Sequence, residues 1–237
     1  MKIIVLSLTQ YKEKDCIVNA ISEDEYLTFN AHGILSPTSK NFALNNILTI
    51  ADVILTKASS GKYSLKESSV INYPYDLTNN INYMVAINLM AEATNNMLDD
   101  EEKPKAFNYL ENAISALRTA KYPLLVASSY LTKLINLAGY SLEINRCVRC
   151  GSKQNIVTFS FEEGGYICKD CIEEDDKRDL NKEQLLLIRT LCGSKDFNFN
   201  NIDYNEDDVI YLLDQFIHFV SDIGGVDLKS AKLIMNY

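Results

Sequence analysis

The sequence predicts an α+β protein with an N-terminal β-barrel, an α-helical bundle and a four-cysteine lobe inserted into the bundle. Three observations lead to this prediction: short apolar runs broken by polar turns, a change to helical periodicity at Leu77, and two C-x-x-C pairs near residue 150. The 237 residues are enough for several small units. The expected segments are 1–75, 76–146, 147–171 and 172–237.

Five strands are expected in the first segment, because apolar runs alternate with turns that contain Gly33, Pro37 and Gly61. Five strands in about seventy residues fit a small antiparallel barrel such as an OB-fold, and an SH3-like barrel is the alternative. The expected strands are 3–8, 16–22, 26–31, 49–57 and 63–73.

From Leu77 onward, apolar residues recur at three- and four-residue spacing, which predicts helices. Pro104 and Pro123 mark two helix starts, Gly139 marks a helix end, and the acidic run 98–102 follows the first helix. After the cysteine pairs, further helices are expected at 183–191, 206–223 and 228–236.

The two C-x-x-C pairs predict a metal site. Cys147 and Cys150 are separated from Cys168 and Cys171 by 17 residues. This gap falls within the roughly 15–20 residues of four-cysteine zinc sites. Four thiolates suit tetrahedral Zn²⁺ and leave no position for a reactive water, so we expect one structural zinc ion.

The sequence around the pairs supports a small metal-bound lobe. Gly151 follows the first pair, where a turning backbone often needs positive φ. Alternation over 156–161 predicts a strand, and 163–166 predicts a hairpin turn. Disulfides, redox cysteines and unrelated core thiols are the alternatives. Cys16 and Cys192, which lie in apolar stretches, are expected to be buried thiols.

Charge is distributed unevenly along the chain. The net charge is −9, of which residues 172–237 contribute −7, whereas residues 1–75 are neutral. The last segment is therefore unfavourable for nucleic-acid contact, and the first segment is the least unfavourable. No apolar run approaches the ~18 residues of a membrane span, and the apolar start 1–8 lacks a signal-peptide cleavage site. We therefore expect a cytoplasmic protein without a membrane partner.

Signatures of catalysis are weak. His32 and His218 are the only histidines, and the sequence lacks H-E-x-x-H, G-x-S-x-G and phosphate-loop motifs. A zinc ion held by four thiolates has no open position for chemistry. We therefore expect a non-enzymatic protein.

Several motifs resemble the RecO family of recombinational repair proteins. Residues 11–18, Y-K-E-K-D-C-I-V, are similar to that family's Y-x-E-x-D-x-I-V pattern, and 26–33 resembles its third strand with the final glycine. The most specific block is C-x-x-C-G…F-S…G-G…C-x-x-C, which begins at Cys147 shortly after A-G-Y-S-L at 138–142. The resemblance spans nearly the whole chain.

The resemblance implies a mediator that binds single- and double-stranded DNA, anneals complementary strands and helps load RecA together with RecR. It also implies binding to the acidic C-terminal tail of single-strand-binding protein. An OB-type groove can hold a strand between cations and aromatic rings. Tyr11 and Phe42 are candidate stacking rings, although each is equally consistent with a position in the core. The expected DNA-binding residues are Lys2, Lys12, Lys14, His32, Lys40, Phe42, Lys57 and Lys62, and the expected tail-binding residues are Arg118, Lys121 and Lys133.

The loop after the third strand departs from the family pattern, which begins R-G-A-R. Here residues 31–40 are A-H-G-I-L-S-P-T-S-K, so Lys40, with His32 when protonated, supplies the positive charge. Each lost phosphate contact lowers affinity and flattens its salt dependence. We expect weak, salt-sensitive DNA binding and heavier reliance on protein partners. A zinc-stabilised protein–protein scaffold and a zinc-ribbon enzyme subunit are the alternative functions.

Overall fold

The N-terminal strands form a closed five-stranded barrel. The computed structural model describes residues 1–74, 80–176 and 180–235. The strand order is β1-β2-β3-β5-β4, and β4 pairs back onto β1. Neighbouring strands are antiparallel except β3 and β5, which are parallel and joined at two positions only. This closed five-stranded order confirms the OB-type barrel. The strands are β1 (Lys2–Gln10), β2 (Cys16–Ile21), β3 (Tyr26–Ala31), β4 (Ile50–Lys57) and β5 (Tyr63–Asn72).

Strand β1 is buried on both faces, which explains its continuous apolar run. Ile3 and Val5 point into the barrel, where Phe29 is also buried. Ile4 and Leu6 belong instead to the core that the barrel shares with the helices. Successive side chains of a strand point to opposite faces, so one strand serves both cores.

Helix α3 lies at the centre of the helical bundle and packs against α1, α2, α4 and α5. Its Tyr130 is fully buried, and the hydroxyl lies 2.6 Å from Thr94 Oγ1 on α1. Among the described residues, no helix is both long and apolar enough to span a membrane. The helices are α1 (Ile81–Met97), α2 (Phe107–Leu117), α3 (Pro123–Leu137), α4 (Lys182–Gly193), α5 (Glu206–Gly224) and α6 (Lys232–Met235).

One expected helix differs from the sequence prediction, and two expected helix ends cannot be compared with the structure. The expected first helical residue, Leu77, lies outside the described residues, as does the last residue of the expected helix 228–236. In place of that single helix, a 3-10 turn at Lys229–Ala231 precedes the short α6. The Glu92 carboxylate on α1 accepts hydrogen bonds from the N–H groups of Lys229 (3.0 Å) and Ser230 (2.9 Å), which fixes the turn against the bundle.

The cysteine lobe is a three-stranded sheet in the order β6-β8-β7. Strand β6 is Glu143–Cys147, β7 is Ile156–Ser160 and β8 is Gly165–Cys168. Strands β7 and β8 form the predicted hairpin, whereas β6 has no counterpart in the sequence prediction. It pairs in parallel with β8, which places Cys147 opposite Tyr166.

Candidate metal centre and nucleic-acid interface

The four cysteines of the C-x-x-C pairs converge at one end of the lobe. Cys147 ends β6 and Cys168 ends β8, so the two turns follow neighbouring parallel strands at the same edge. The four Sγ atoms all lie within 4.8 Å of one another, and those of Cys150 and Cys168 are 3.6 Å apart. A zinc ion with Zn–S bonds of about 2.3 Å separates its sulfurs by about 3.8 Å. The four thiols therefore fit a single tetrahedral metal ion.

The local electrostatics also favour a bound cation. Burial raises the pKa of the Cys147 thiol, but hydrogen bonds from the backbone N–H groups of Cys168, Cys150 and Arg149 outweigh burial and lower it to about 6. The pKa of Cys171 rises to about 12, first because its thiol is hydrogen-bonded to Cys150 and then because it is desolvated. Four adjacent thiolates repel one another, and a divalent cation offsets that repulsion.

Glycines allow the close approach of the lobe's strands. Gly151 has φ of +76°, which confirms the positive φ expected after the first pair. At Gly165, an added Cβ would lie 3.0 Å from Val148 Cβ and 3.1 Å from Glu143 Cβ. Gly165, the second glycine of the Gly-Gly pair, is thus required by the close approach of β6, whereas Gly164 has the positive φ of +66° in the turn.

Arg149 links three parts of the lobe, a role that its position within C-V-R-C does not reveal. Its guanidinium donates to the Glu163 carboxylate, to the Cys171 carbonyl at 2.6 Å and to both Asp176 carboxylate oxygens at 2.7 Å. Such paired charge-assisted hydrogen bonds are geometrically specific. Arg149 therefore fixes the segment after the second cysteine pair against the hairpin turn.

Aromatic side chains attach the lobe to the helices. The ring centroids of Phe161 and Phe216 on α5 lie 5.4 Å apart, and Phe161 also contacts Phe159 at 5.0 Å. The Tyr166 hydroxyl donates to the Leu185 carbonyl on α4 at 2.6 Å. Edge-to-face contacts of this kind add to the free energy of apolar burial.

In the barrel, two hairpins and a loop meet around the end of β3. Ala31 at that end pairs with Cys16 after the β1–β2 turn, and Phe29 pairs with Tyr63 after the β4–β5 turn. The loop after β3 is tied to the first turn by a 2.8 Å hydrogen bond from Gly33 N–H to Asp15 Oδ1. The structure thereby brings together most of the expected DNA-binding residues, namely Lys12, Lys14, His32, Lys57 and Lys62.

Asp15 offsets part of the positive charge in this region. Its Oδ2 lies 3.1 Å from His32 Nδ1 and 4.0 Å from Lys12 Nζ. The Gly33 N–H, followed by the hydrogen bond with His32, holds the pKa of the Asp15 carboxyl below its usual value, so it is ionised at neutral pH. Tyr11 is 39% exposed, and its hydroxyl lies 3.3 Å from His32 Nδ1. Tyr11 is therefore a surface ring rather than part of the core.

The remaining expected DNA-binding residues have different environments. Lys40 and Phe42 are exposed in the connection from β3 to β4, so Phe42 is likewise not a core ring. Lys2 instead forms an ion pair with Glu111 on α2, and its ammonium lies 5.6 Å from the Phe107 ring centroid. Lys2 thus contributes to the contact between barrel and bundle.

The three residues expected to bind an acidic tail contact different parts of the structure. Arg118 donates to Asn72 Oδ1 at the end of β5 (2.7 Å), and Lys121 pairs with Asp203 (2.8 Å). Lys133 is half-buried and donates to the Cys192 carbonyl (2.6 Å), and burial lowers its pKa. A cavity of about 380 Å³ lies beside the α2–α3 turn, with Lys195 in its lining. The sequence pattern did not indicate Lys195, because it lies near the α2–α3 turn only in the folded chain.

The other thiols and the second histidine have structural surroundings. Cys16 is buried in the barrel, as expected, whereas Cys192 is only half-buried. Desolvation raises the pKa of the Cys192 thiol to about 12, so it stays protonated at neutral pH. His218 is a surface residue, with Nε2 3.5 Å from Asp214.

Comparison with known proteins identifies the class of this chain. Residues 78–231 match the family model described as "Recombination protein O C terminal", and this range contains helices α1–α5 and the cysteine lobe. The chain belongs to the RecO family. The resemblance found in the sequence is therefore confirmed, and membership assigns this RecO-family chain to DNA repair and recombination.

Individual relatives extend the similarity to the barrel. A "DNA repair protein RecO" from Caldicellulosiruptor bescii is 28% identical over 179 residues, covering 73% of this chain and 72% of its own length. The Bacillus subtilis protein of the same name is 22% identical over 234 residues, covering 98% of this chain and 91% of its own length. The match to the Bacillus subtilis protein thus includes the N-terminal barrel.

Proposed function

We propose that this RecO-family chain is a non-enzymatic mediator that binds single- and double-stranded DNA, anneals complementary strands and acts with RecR and single-strand-binding protein in loading RecA. The observation that supports the proposal most directly is the group of cations with the exposed Tyr11 ring around the end of β3 in an OB-type barrel. Cations there contact phosphates while Tyr11 and Phe42 stack on bases. The proposed location is the cytoplasm, where zinc-bound thiolates stay reduced.

The DNA surface consists of exposed lysines on three connections of the barrel. Lys14, Lys40, Lys57 and Lys62 are exposed, and none forms an ion pair with a residue in the described ranges. Lys12 shares Asp15 with His32, which leaves the surface only moderately positive. We therefore propose weak DNA binding with a strong dependence on salt.

Fluorescence anisotropy with a labelled single strand at two salt concentrations tests this surface. Replacing Lys14 and Lys62 with alanine removes two phosphate contacts and should flatten the slope of log K against log salt by about 1.4. The control variant replaces Lys182 and Lys195, exposed lysines of the C-terminal segment, and should leave the slope unchanged. Tight binding that is insensitive to salt contradicts the proposal.

Strand annealing tests the mediator role itself. Complementary oligonucleotides should anneal faster with the protein, and also when one strand is coated with single-strand-binding protein. The Lys14 and Lys62 variant should lose most of this acceleration. A scaffold, which is the second candidate function, should bind its partners without accelerating annealing. Asp15 favours this alternative because it reduces the positive charge of the DNA surface.

We propose zinc as the metal of the four-cysteine centre. Thiolates in a closed tetrahedral set favour zinc over metals that prefer oxygen ligands, and such a site stabilises the fold without chemistry. Cys147, Cys150, Cys168 and Cys171 would hold the ion. Elemental analysis of purified protein should give one zinc per chain.

The acidic tail of single-strand-binding protein is proposed to bind near the α2–α3 turn. Arg118 and Lys121 lie in this turn, and the adjacent cavity of about 380 Å³ adds Lys195 and the apolar surface of Ala116. Lys133 contributes less, because its ammonium is already bonded to the Cys192 carbonyl. Replacing Lys121 and Lys195 with glutamate should abolish binding of a labelled tail peptide while leaving DNA binding by the barrel intact.

A further inference from the structure

A groove of about 820 Å³ separates the cysteine lobe from helix α5. Strand β7 and the turn after it form one wall, and α5 forms the other. The apolar part of the lining includes the half-buried Phe161 and Ile223, beside the buried Phe159 and Phe219. Its volume is within the range of roughly 300–1,000 Å³ that is typical of ligand pockets.

The rim of the groove is acidic. Glu162, Asp175 and Asp222 are exposed there, and none of them forms an ion pair with a residue in 1–74, 80–176 or 180–235. Within the described ranges, Arg149 binds Glu163 and Asp176, and His218 Nε2 lies 3.5 Å from Asp214. The groove therefore combines apolar surface with three rim carboxylates that form no ion pair with a described residue.

We propose that this groove binds a short segment of a partner protein in which lysine or arginine side chains alternate with apolar ones. Apolar side chains of the segment pack on Phe161 and Ile223, and its cations pair with the rim carboxylates. Nucleic acid is unsuitable because its phosphates are repelled by the same carboxylates. This interaction goes beyond the proposed function and needs a ligand opposite in charge to DNA and to an acidic tail.

The groove is formed before any ligand binds. Arg149 joins Asp176 and the Cys171 carbonyl to Glu163, so the two sides of the lobe that border the groove are fixed to each other. The contact between Phe161 and Phe216 fixes the lobe to α5. A preformed groove loses less conformational entropy on binding, which favours a short peptide as the ligand.

Binding of a labelled nonapeptide, GKFKGKFKG, to the full chain at physiological salt tests the proposal. The double variant Glu162→Gln and Asp222→Asn should weaken binding by roughly tenfold or more, because two rim charges are lost. The matched control, Glu23→Gln and Asp24→Asn, removes the same charge from the exposed β2–β3 turn and should change affinity less than about twofold. The counterpart GKGKGKGKG, which lacks apolar side chains, should bind much more weakly.

A second variant distinguishes a loss of binding in the groove from a general effect of the lost negative charge. Gln215→Lys places a cation inside the groove while all the carboxylates remain, and it should also block the peptide. Zinc content and melting temperature verify that each variant is folded. Equal losses in the groove and control variants, equal binding of the two peptides, unaltered binding by Gln215→Lys, or no binding to the unmodified chain would each overturn the proposal.

Discussion

The barrel encloses a core of 12 buried residues of its own, whereas the buried aromatic side chains of the cysteine lobe pack into the core of the helices. The barrel has five strands joined into a closed ring, and the lobe has three short strands. Burial of apolar area stabilises the first unit, and we propose that a metal ion, together with support from α4 and α5, stabilises the second. Two small β units in one chain thus depend on different forces.

The largest expected effect comes from removing one metal ligand. Cys150→Ser should abolish zinc binding and lower the free energy of unfolding by about 5 kcal/mol or more, since binding of a structural zinc ion is coupled to folding. Zinc analysis and thermal melting measure both effects. Cys16→Ser in the barrel core should retain zinc and cost only about 1–2 kcal/mol. Similar losses of stability in the two variants would mean that the lobe does not depend on its metal.

The next effect concerns the support of the lobe by α5. Phe161→Ala removes the contact with Phe216 and should lower the free energy of unfolding by about 2–3 kcal/mol, since the ring is only half-buried. Chemical denaturation measures the change. Phe42→Ala, which removes a 41% exposed ring from the barrel side, should change stability by less than about 0.5 kcal/mol. A negligible effect of Phe161→Ala would show that the metal alone holds the lobe.

A smaller effect is expected where the barrel meets the helices. Lys103 is buried, its ammonium lies 4.1 Å from the Tyr26 ring centroid of β3, and it pairs with Asp100 at 2.6 Å. Lys103→Met keeps the aliphatic stem and should cost about 1–2 kcal/mol. Lys105→Met removes an exposed ion pair of the same length and should cost almost nothing. If denaturation shows that both variants lower the free energy of unfolding equally, then the buried Lys103 stabilises the protein no more than an exposed lysine does.

The smallest effect tests the charge of the barrel surface. Thr38→Arg adds a cation to the exposed loop after β3 and should steepen the salt dependence of single-strand binding by about 0.7. Anisotropy titrations at several salt concentrations measure this slope. Asn108→Arg on the exposed face of α2 should leave the slope unchanged, and an equal response to both variants would place DNA outside the loop.

The convergence of the four cysteines could be predicted from sequence because a metal site requires particular residues at particular spacing. Strand β6 was missed because Glu143–Cys147 contains little apolar sequence, and its conformation depends on pairing with β8. The environments of Lys2 and Lys133 were equally inaccessible, since Glu111 and the Cys192 carbonyl approach them only in the folded chain. Local pattern therefore predicts strands, helices and ligand sets, but not which cations stay available on the surface.

The parallel seam between β3 and β5 makes the barrel asymmetric in its resistance to opening. Two residue pairs close this seam, Phe29 with Tyr63 and Asn30 with Ser64, whereas β4 and β5 share eight pairs. Local fluctuations break the smallest set of cooperative contacts first, so amide protons along this seam should exchange with solvent faster than those of the β4–β5 hairpin. The closed sheet should therefore open first between β3 and β5, and this contact lies beside the lysines proposed to bind DNA.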